Sequence, residues 1–239
     1  MQLFYNAELI DQSTFRFDKN EITHIIKVLR KKTGDILYIT NGLGYLFEAE
    51  IILDDTRNCE VKIIKKTFFE RALFHTHIAI APTKMNDRLE WFVEKAIEIG
   101  VQEITPIICD NSERKVLKIE RIQKIAIAAM KQSLQYYLPK INEPIAYQKF
   151  MQQDFVETNL YIAHCEEDTD KKHLYNLIDR QTKNIVLIGP EGDFSDKEIS
   201  LAKSKDFQPV SLGHNRLRTE TAALVAVHTI ALKNENHGQ

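Results

Sequence analysis

Residues 1–72 and the residues after them carry two different hydrophobic rhythms. Leu3–Leu9 reads as a short strand. From Glu21 a helical stretch sets Ile22, Ile25, Ile26 and Leu29 on one face, until Gly34-Asp35 breaks it. Ile36–Thr40 and Tyr45–Leu53 then flank an Asn41-Gly42 turn, with Gly44 just beyond, which predicts a hairpin. Cys59–Phe69 supplies another alternating strand. Several strands, tight turns and one short helix predict a small β-barrel or a strongly twisted sheet.

Beyond His75, apolar runs alternate with amphipathic stretches. Residues 77–82 (HIAIAP), Ile104–Ile108, Leu160–Ala163, Ile185–Ile188 and Pro209–Leu212 read as strands. The predicted helices are Asp87–Ile99, closed by Gly100, then Lys118–Gln135, Lys171–Gln181, one starting near Asp196, and Thr219–Leu232. Ser195 can cap the fourth of these, with Glu198 at the capping-box position. Strands alternating with helices predict an α/β domain with a largely parallel sheet. Two domains are therefore expected, 1–72 and 73–239, with a polar tail after Leu232.

Composition narrows the class. In 239 residues, 44% are hydrophobic and 28% charged, which fits a soluble globular chain. The opening MQLFYNAELI has no basic region ahead of an apolar run and does not read as a signal peptide. No stretch reaches the eighteen or so apolar residues of a membrane span. Cys59, Cys109 and Cys165 are too dispersed for a disulfide framework or a clustered metal site. A cytoplasmic protein without metal or membrane partner is expected. The formal net charge of −2 excludes a polycation, yet Lys27, Arg30, Lys31 and Lys32 place four cations within six residues. Lys62, Lys65, Lys66 and Arg71 continue the theme, although residues 1–72 as a whole hold 11 basic and 11 acidic side chains. The cluster is either a phosphate-facing surface or an ordinary solvated one.

Candidate chemistry sits in two loops that leave apolar strands. Ligands of open α/β sheets gather at the carboxyl ends of strands. The first loop, Gly189-Pro190-Glu191-Gly192-Asp193-Phe194-Ser195, has glycines that permit tight backbone geometry or close approach by a ligand. It lacks the spacing of dinucleotide and nucleoside triphosphate motifs. The second, Leu212-Gly213-His214-Asn215-Arg216-Leu217-Arg218-Thr219-Glu220-Thr221, runs into an apolar helix. Thr219 or Thr221 can cap that helix, and Glu220 suits its positive end. Arg216 and Arg218 stand at the unfavourable end, so they call for an acidic partner such as Glu220 or for an anionic ligand.

These loops carry a resemblance. Gly189-Pro190-Glu191-Gly192 and Leu212-Gly213 through Leu217-Arg218-Thr219-Glu220-Thr221-Ala222 are its most specific parts. His24-Ile25-Ile26-Lys27-Val28-Leu29-Arg30 with Gly34-Asp35, Lys84, Lys95 through Val101, Pro106, Ser112-Glu113-Arg114, Gln132-Ser133 and Pro139 extend it along nearly the whole chain. The sequence resembles the bacterial ribosomal RNA small-subunit methyltransferase E family, of the SPOUT class, which methylates N3 of a uridine in 16S ribosomal RNA. The resemblance implies a PUA-like β-barrel followed by an α/β domain with a deep trefoil knot. It also implies S-adenosylmethionine as cofactor, a homodimer with the cofactor pocket near the subunit interface, and small-subunit RNA or its late precursor as substrate. General topology rules would have argued against the knot. A non-catalytic RNA-binding or assembly protein retaining the same fold is the alternative.

On that basis Leu187, Ile188, Gly189, Glu191, Gly192, Leu212, Gly213, Leu217, Thr219 and Thr221 are expected to hold the cofactor, with Leu187 and Leu217 walling its adenine. Arg218 and Glu220 are expected at the chemistry. Arg218 would stabilise a uracil oxyanion or hold a phosphate; Glu220 would orient it, act as base, or merely cap the helix. Lys27, Arg30, Lys31, Lys32, Arg88, Lys95 and Arg114 are the candidate RNA contacts. Asp193 replaces the family's usual glycine, Asn215 departs from its usual arginine, and Leu134, Gln135 and Tyr137 replace a frequent glycine and two arginines.

Overall fold

The computed structural model describes residues 1–166 and 171–235, apart from the side chain of Asn20. The chain divides into two compact units. The first comprises Met1–Arg71 together with Met130–Leu138, and the second Ala72–Ala129 with Pro139–Gln239.

The first unit is built on β1 (Leu3–Tyr5), β2 (Thr14–Arg16), α1 (Lys19–Ile22), β3 (Ile36–Thr40), β4 (Tyr45–Asp55) and β5 (Asn58–Phe68). They form one sheet in the order β1-β3-β4-β5-β2, antiparallel except for the parallel β1–β3 pair. Register shifts near Glu48 and Ile51 interrupt the long β4–β5 hairpin, and such bulges sharpen twist. Phe4, Leu9, Phe17, Ile22, Ile25, Ile39, Phe47 and Val61 fill its core. The expected helix from Glu21 is mostly a π turn, Thr23–Val28, which Leu29 N–H closes onto His24 O at 2.9 Å. Asn41 does more than turn the chain: its Nδ2 donates to Leu9 O and its Oδ1 accepts from Leu43 N.

The segment 130–138 belongs to this first unit because its backbone pairs there. Gly44 N donates to Tyr136 O at 2.8 Å and Leu138 N to Gly42 O at 2.9 Å. Gln135 and Tyr137, expected within the α/β region, thus lie outside it. Sequence periodicity carries no information about such a return of the chain.

The second unit contains β6 (His75–Ile80), α2 (Asn86–Ile99), β7 (Glu103–Ile108), α3 (Ile119–Gln132, up to Ala129), β8 (Lys140–Ile141), β9 (Ile145–Ala146), α4 (Tyr147–Phe150), β10 (Thr158–Ala163), β11 (Lys172–His173), α5 (Leu174–Leu177), β12 (Lys183–Ile188), α6 (Asp196–Ser204), β13 (Gln208–Ser211) and α7 (Thr219–Asn234). Every strand pair is parallel, in the order β11-β13-β10-β12-β6-β7-β8, with β9 on β7. α2 buries Leu89, Phe92, Val93, Ala96 and Ile97, and ends at Gly100 in a left-handed cap with φ 106°. Three helices differ from expectation. α3 stops at Gln132, two residues before Leu134 turns left-handed at φ 56°. Between 171 and 181 only α5 is helical, because the apolar pattern there lasts one turn and His173 Nδ1 caps it early. α7 runs to Asn234; residues 236–239 of the polar tail lie outside the described residues.

The order of the strands positions the site. β13 pairs with β10, yet α7, which follows it, packs on β6, β12 and α2. The chain from Leu212 to Arg218 must therefore cross the carboxyl ends of β10 and β12. Among the described residues, no helix is long and apolar enough to cross a membrane, and no cluster of His, Cys, Asp or Glu is arranged to hold a metal.

Candidate active site

Two cavities adjoin where β10, β12 and β13 end. The larger, about 440 Å³, is lined by Ala163–Cys165, Lys171, Val210–Leu217 and Ala222. The smaller, about 330 Å³, is lined by Cys165, Pro190, Glu191, Asp193 and Arg216–Thr219. They share Cys165, Arg216 and Leu217. Such volumes suit an organic ligand, and Ala163, Val210, Leu212, Leu217 and Ala222 give the larger one an apolar lining.

The loop after β12 is held by its own chain. Gly189 O accepts from Thr219 Oγ1 at 3.1 Å, which ties the start of α7 to the end of β12. Thr219 is therefore a clamp between loops. It does not cap α7, whose N-cap is Arg218 without a side-chain hydrogen bond. A Cβ on Gly189 would come within 3.0 Å of the Phe194 ring, so this glycine makes room for an intramolecular aromatic. Glu191 Oε1 accepts from Lys84 N at 2.9 Å, and Asn111 Nδ2 donates to Gly192 O and Asp193 O. Ser195 caps α6 in a full capping box with Glu198, as its sequence predicts, and its hydroxyl also donates to Asp110 Oδ2 at 2.7 Å.

The charged candidates are distributed differently from expectation. Glu220 is buried, and its nearest cation is Arg88, at 3.8 Å, rather than Arg218. Its other oxygen, Oε2, is buried without a hydrogen-bond partner among the described residues. Arg218 is exposed and lines the smaller cavity. Arg88, expected to meet RNA, is thus engaged by Glu220. Lys95 is held by Glu94 and Glu98 at 2.7 and 2.9 Å, and the Arg114 guanidinium donates twice to Lys84 O. Leu187, expected to wall an adenine, is fully buried in the core beside Ile162 and Phe207. Ile188 is buried in the sheet, where its carbonyl accepts from Ala81 N. A strand residue before the loop points into the core, which an apolar run cannot reveal. Thr221 is half-buried on the first turn of α7.

In the first unit, Lys27, Arg30 and Lys32 are exposed and Lys31 is half-buried. None of the four forms an ion pair among the described residues, whereas Lys65 is paired with Glu48 and Lys66 with Asp11. All four cations at 27–32 are thus uncommitted.

Comparison with known proteins accords with this arrangement. A family model described as an RNA methyltransferase domain matches residues 70–231, and an RNA methyltransferase PUA domain matches residues 17–64. The ribosomal RNA small subunit methyltransferase E of Buchnera aphidicola (subspecies Acyrthosiphon pisum) is 33% identical over 237 residues, covering 93% of this chain and 90% of its own. This chain belongs to the ribosomal RNA small subunit methyltransferase E family. The methyltransferase E of Neisseria gonorrhoeae, whose crystal structure contains S-adenosyl methionine, superposes with a TM-score of 0.86 at 25% identity over the whole of both chains. A probable rRNA-methyltransferase from Porphyromonas gingivalis superposes with a TM-score of 0.89 at 38% identity, covering 97% of this chain and 99% of its own. The fold of this methyltransferase E family member is accordingly the SPOUT α/β fold preceded by a PUA-like β-domain.

Sequence reasoning overlooked one wall of the larger cavity. Ala163, His164 and Cys165 line it in this methyltransferase E family member, with Lys171, whose Nζ donates to His164 O at 2.8 Å. The signal was present: Leu160–Ala163 reads as a strand, and strand carboxyl ends collect ligands.

Proposed function

We propose that the protein transfers a methyl group from S-adenosylmethionine to N3 of one uridine in 16S ribosomal RNA, within the small subunit or its late precursor. The observation that carries this reading is the pair of adjoining cavities at the carboxyl ends of β10, β12 and β13, in a chain of the methyltransferase E family. The larger cavity fits an adenosine in volume and apolar lining, with Leu212, Leu217 and Ala222 toward the base and Leu212–Leu217 backbone groups for its polar edges. When bound, the cofactor supplies an electrophilic methyl carbon on a sulfonium.

The chain's own residues supply position and charge. Methyl transfer demands that nitrogen, carbon and sulfur align, so the rigid loop after β12 matters. Thr219, Asn111 and the Lys84 backbone hold that loop. Arg218, exposed in the smaller cavity beside Arg216, is the cation assigned to the uracil oxygen on which charge develops as N3 loses its proton. Glu220 holds Arg88 at the start of α2 and is a positioning residue in this scheme, not the base. The uncommitted cations Lys27, Arg30, Lys31 and Lys32 take RNA phosphates. A second copy of the chain covers α7, whose stretch Ala222–Val227 is wholly apolar and which leaves Leu224, Val225, Ala231 and Leu232 half-buried. Sedimentation should therefore report a dimer.

Purified protein, labelled S-adenosylmethionine and undermethylated small subunits or naked ribosomal RNA make the test. Nucleoside mass spectrometry should find 3-methyluridine, and another methylated nucleoside would overturn the assignment. RNA binding without any methylation would favour the assembly role.

A further inference from the structure

We propose that Asp193 is a positioning residue for the cofactor site, a carboxylate staple between the loop after β12 and the loop after β10. The proposal rests on the reading of the adjoining cavities as the methyltransferase site.

Asp193 has φ 63°, a left-handed conformation that side chains other than Asn and Asp adopt reluctantly. The turn requires it: Asp193 N donates back to Pro190 O at 2.9 Å, closing Pro190–Asp193 on itself. Glycine would meet that requirement without strain. Aspartate adds two bonds that glycine cannot make. Its Oδ2 accepts from Cys165 N at 2.7 Å, and its Oδ1 accepts from Phe194 N at 2.8 Å. Both are bonds from neutral donors to a charged acceptor, the stronger kind. Asn111 Nδ2 completes the set by donating to Asp193 O at 3.1 Å.

Two of the tied points are walls of the site, and the third is a core anchor. Cys165 lines both cavities and Asp193 the smaller one. Phe194 is anchored in the core, so its amide is a fixed reference. Lys171 Nζ holds the Cys165 loop from its other side through the carbonyls of His164 and Glu166. Removing the carboxylate leaves Cys165 N–H without this acceptor and frees the wall that the two cavities share. From this left-handed position a short side chain reaches the loop after β10.

The experiment compares wild type with Asp193→Gly and Asp193→Asn in three measurements. Calorimetric titration with S-adenosylmethionine should show Kd raised about tenfold in D193G, the equivalent of about 1.4 kcal/mol. D193N should fall between, since an amide offers one acceptor oxygen instead of two. In methylation assays, KM for the cofactor should rise in D193G while kcat stays within about twofold, the pattern of lost uniform binding. The Tm of D193G should hold or increase, and amide exchange at residues 163–166 should accelerate selectively. Unchanged Kd in both variants, or a loss of affinity matched by a fall in Tm, would overturn the staple. If wild type itself fails to bind S-adenosylmethionine, the site reading fails instead, a result the variants do not mimic.

Discussion

Gly189 lies against the Phe194 ring, and that contact explains the residue better than any ligand does. Phe194 belongs to the core of the α/β unit and cannot easily yield to a methyl group 3.0 Å away. Gly189→Ala should therefore destabilise the protein by about 1–3 kcal/mol, the usual cost of overpacking, read as a lower urea midpoint at unchanged slope. Arg218 is governed by different physics. It is exposed, makes no capping bond, and faces the smaller cavity. Arg218→Ala should cut methylation by about 10²–10³-fold, the range for losing one donor aimed at developing charge, while cofactor affinity changes little. Calorimetry showing an equal loss of cofactor binding would place Arg218 on the cofactor.

The π turn Thr23–Val28 delivers the cation cluster. Leu29 N closes on His24 O, Lys31 N reaches Ile25 O, and Arg30 between them is left-handed at φ 54°. Lys32 N then bonds Asp35 Oδ2, so the backbone through the cluster is pinned while its side chains stay free. Such wide turns and strained residues often coincide with functional surfaces. The double variant Lys31→Glu/Lys32→Glu should weaken RNA binding, and the slope of log affinity against log salt should fall by about 2. Filter binding across a salt series measures it, and an unchanged slope would move the RNA surface elsewhere. Thermal stability should change little, because neither side chain has an ion partner to lose among the described residues.

For the α/β unit as a whole, acid sensitivity is built into the sheet. His77 on β6 is buried, with Nε2 2.7 Å from Thr105 Oγ1 and the Phe150 ring beside it. Burial pulls its pKa down to about 4, against an opposing pull from Glu103 and with help from His75 and Lys140. Burial alone would raise the Glu103 carboxyl; His77, Asn142 and Lys140 outweigh it, and its pKa is lowered. Both shifts act in the same sense. The stability that neutral His77 provides is complete above its unfolded pKa near 6.5 and drains away as pH falls toward 4. Glu103 adds a loss at still lower pH, below its ordinary carboxylate range. Urea unfolding should thus show stability falling from pH 7 to pH 5, at up to about 1.4 kcal/mol per pH unit. His77→Asn should flatten that dependence; an equally steep profile in the variant would assign it to other groups.

Period and spacing were enough for the α/β strands, the Gly100 stop of α2 and the capping box of Ser195, because each depends on residues within one turn or strand. Local spacing of charges exposed the Lys27–Lys32 cluster, and loop chemistry marked the two segments that meet at the site. What no local pattern contains is the pairing of distant parts. Met130–Leu138 returns to the first unit through backbone bonds to Gly42 and Gly44. Glu220 takes Arg88 rather than Arg218, two residues away in the sequence, and Thr219 clamps Gly189 instead of capping its own helix. Leu187 faces the core, and Asp193 reaches Cys165. Most strands and helices and both reactive loops were legible along the chain, since backbone geometry and side-chain period are local properties. Which charges neutralise one another and which remain for a ligand emerged from the fold, because that depends on distances between residues far apart in the chain.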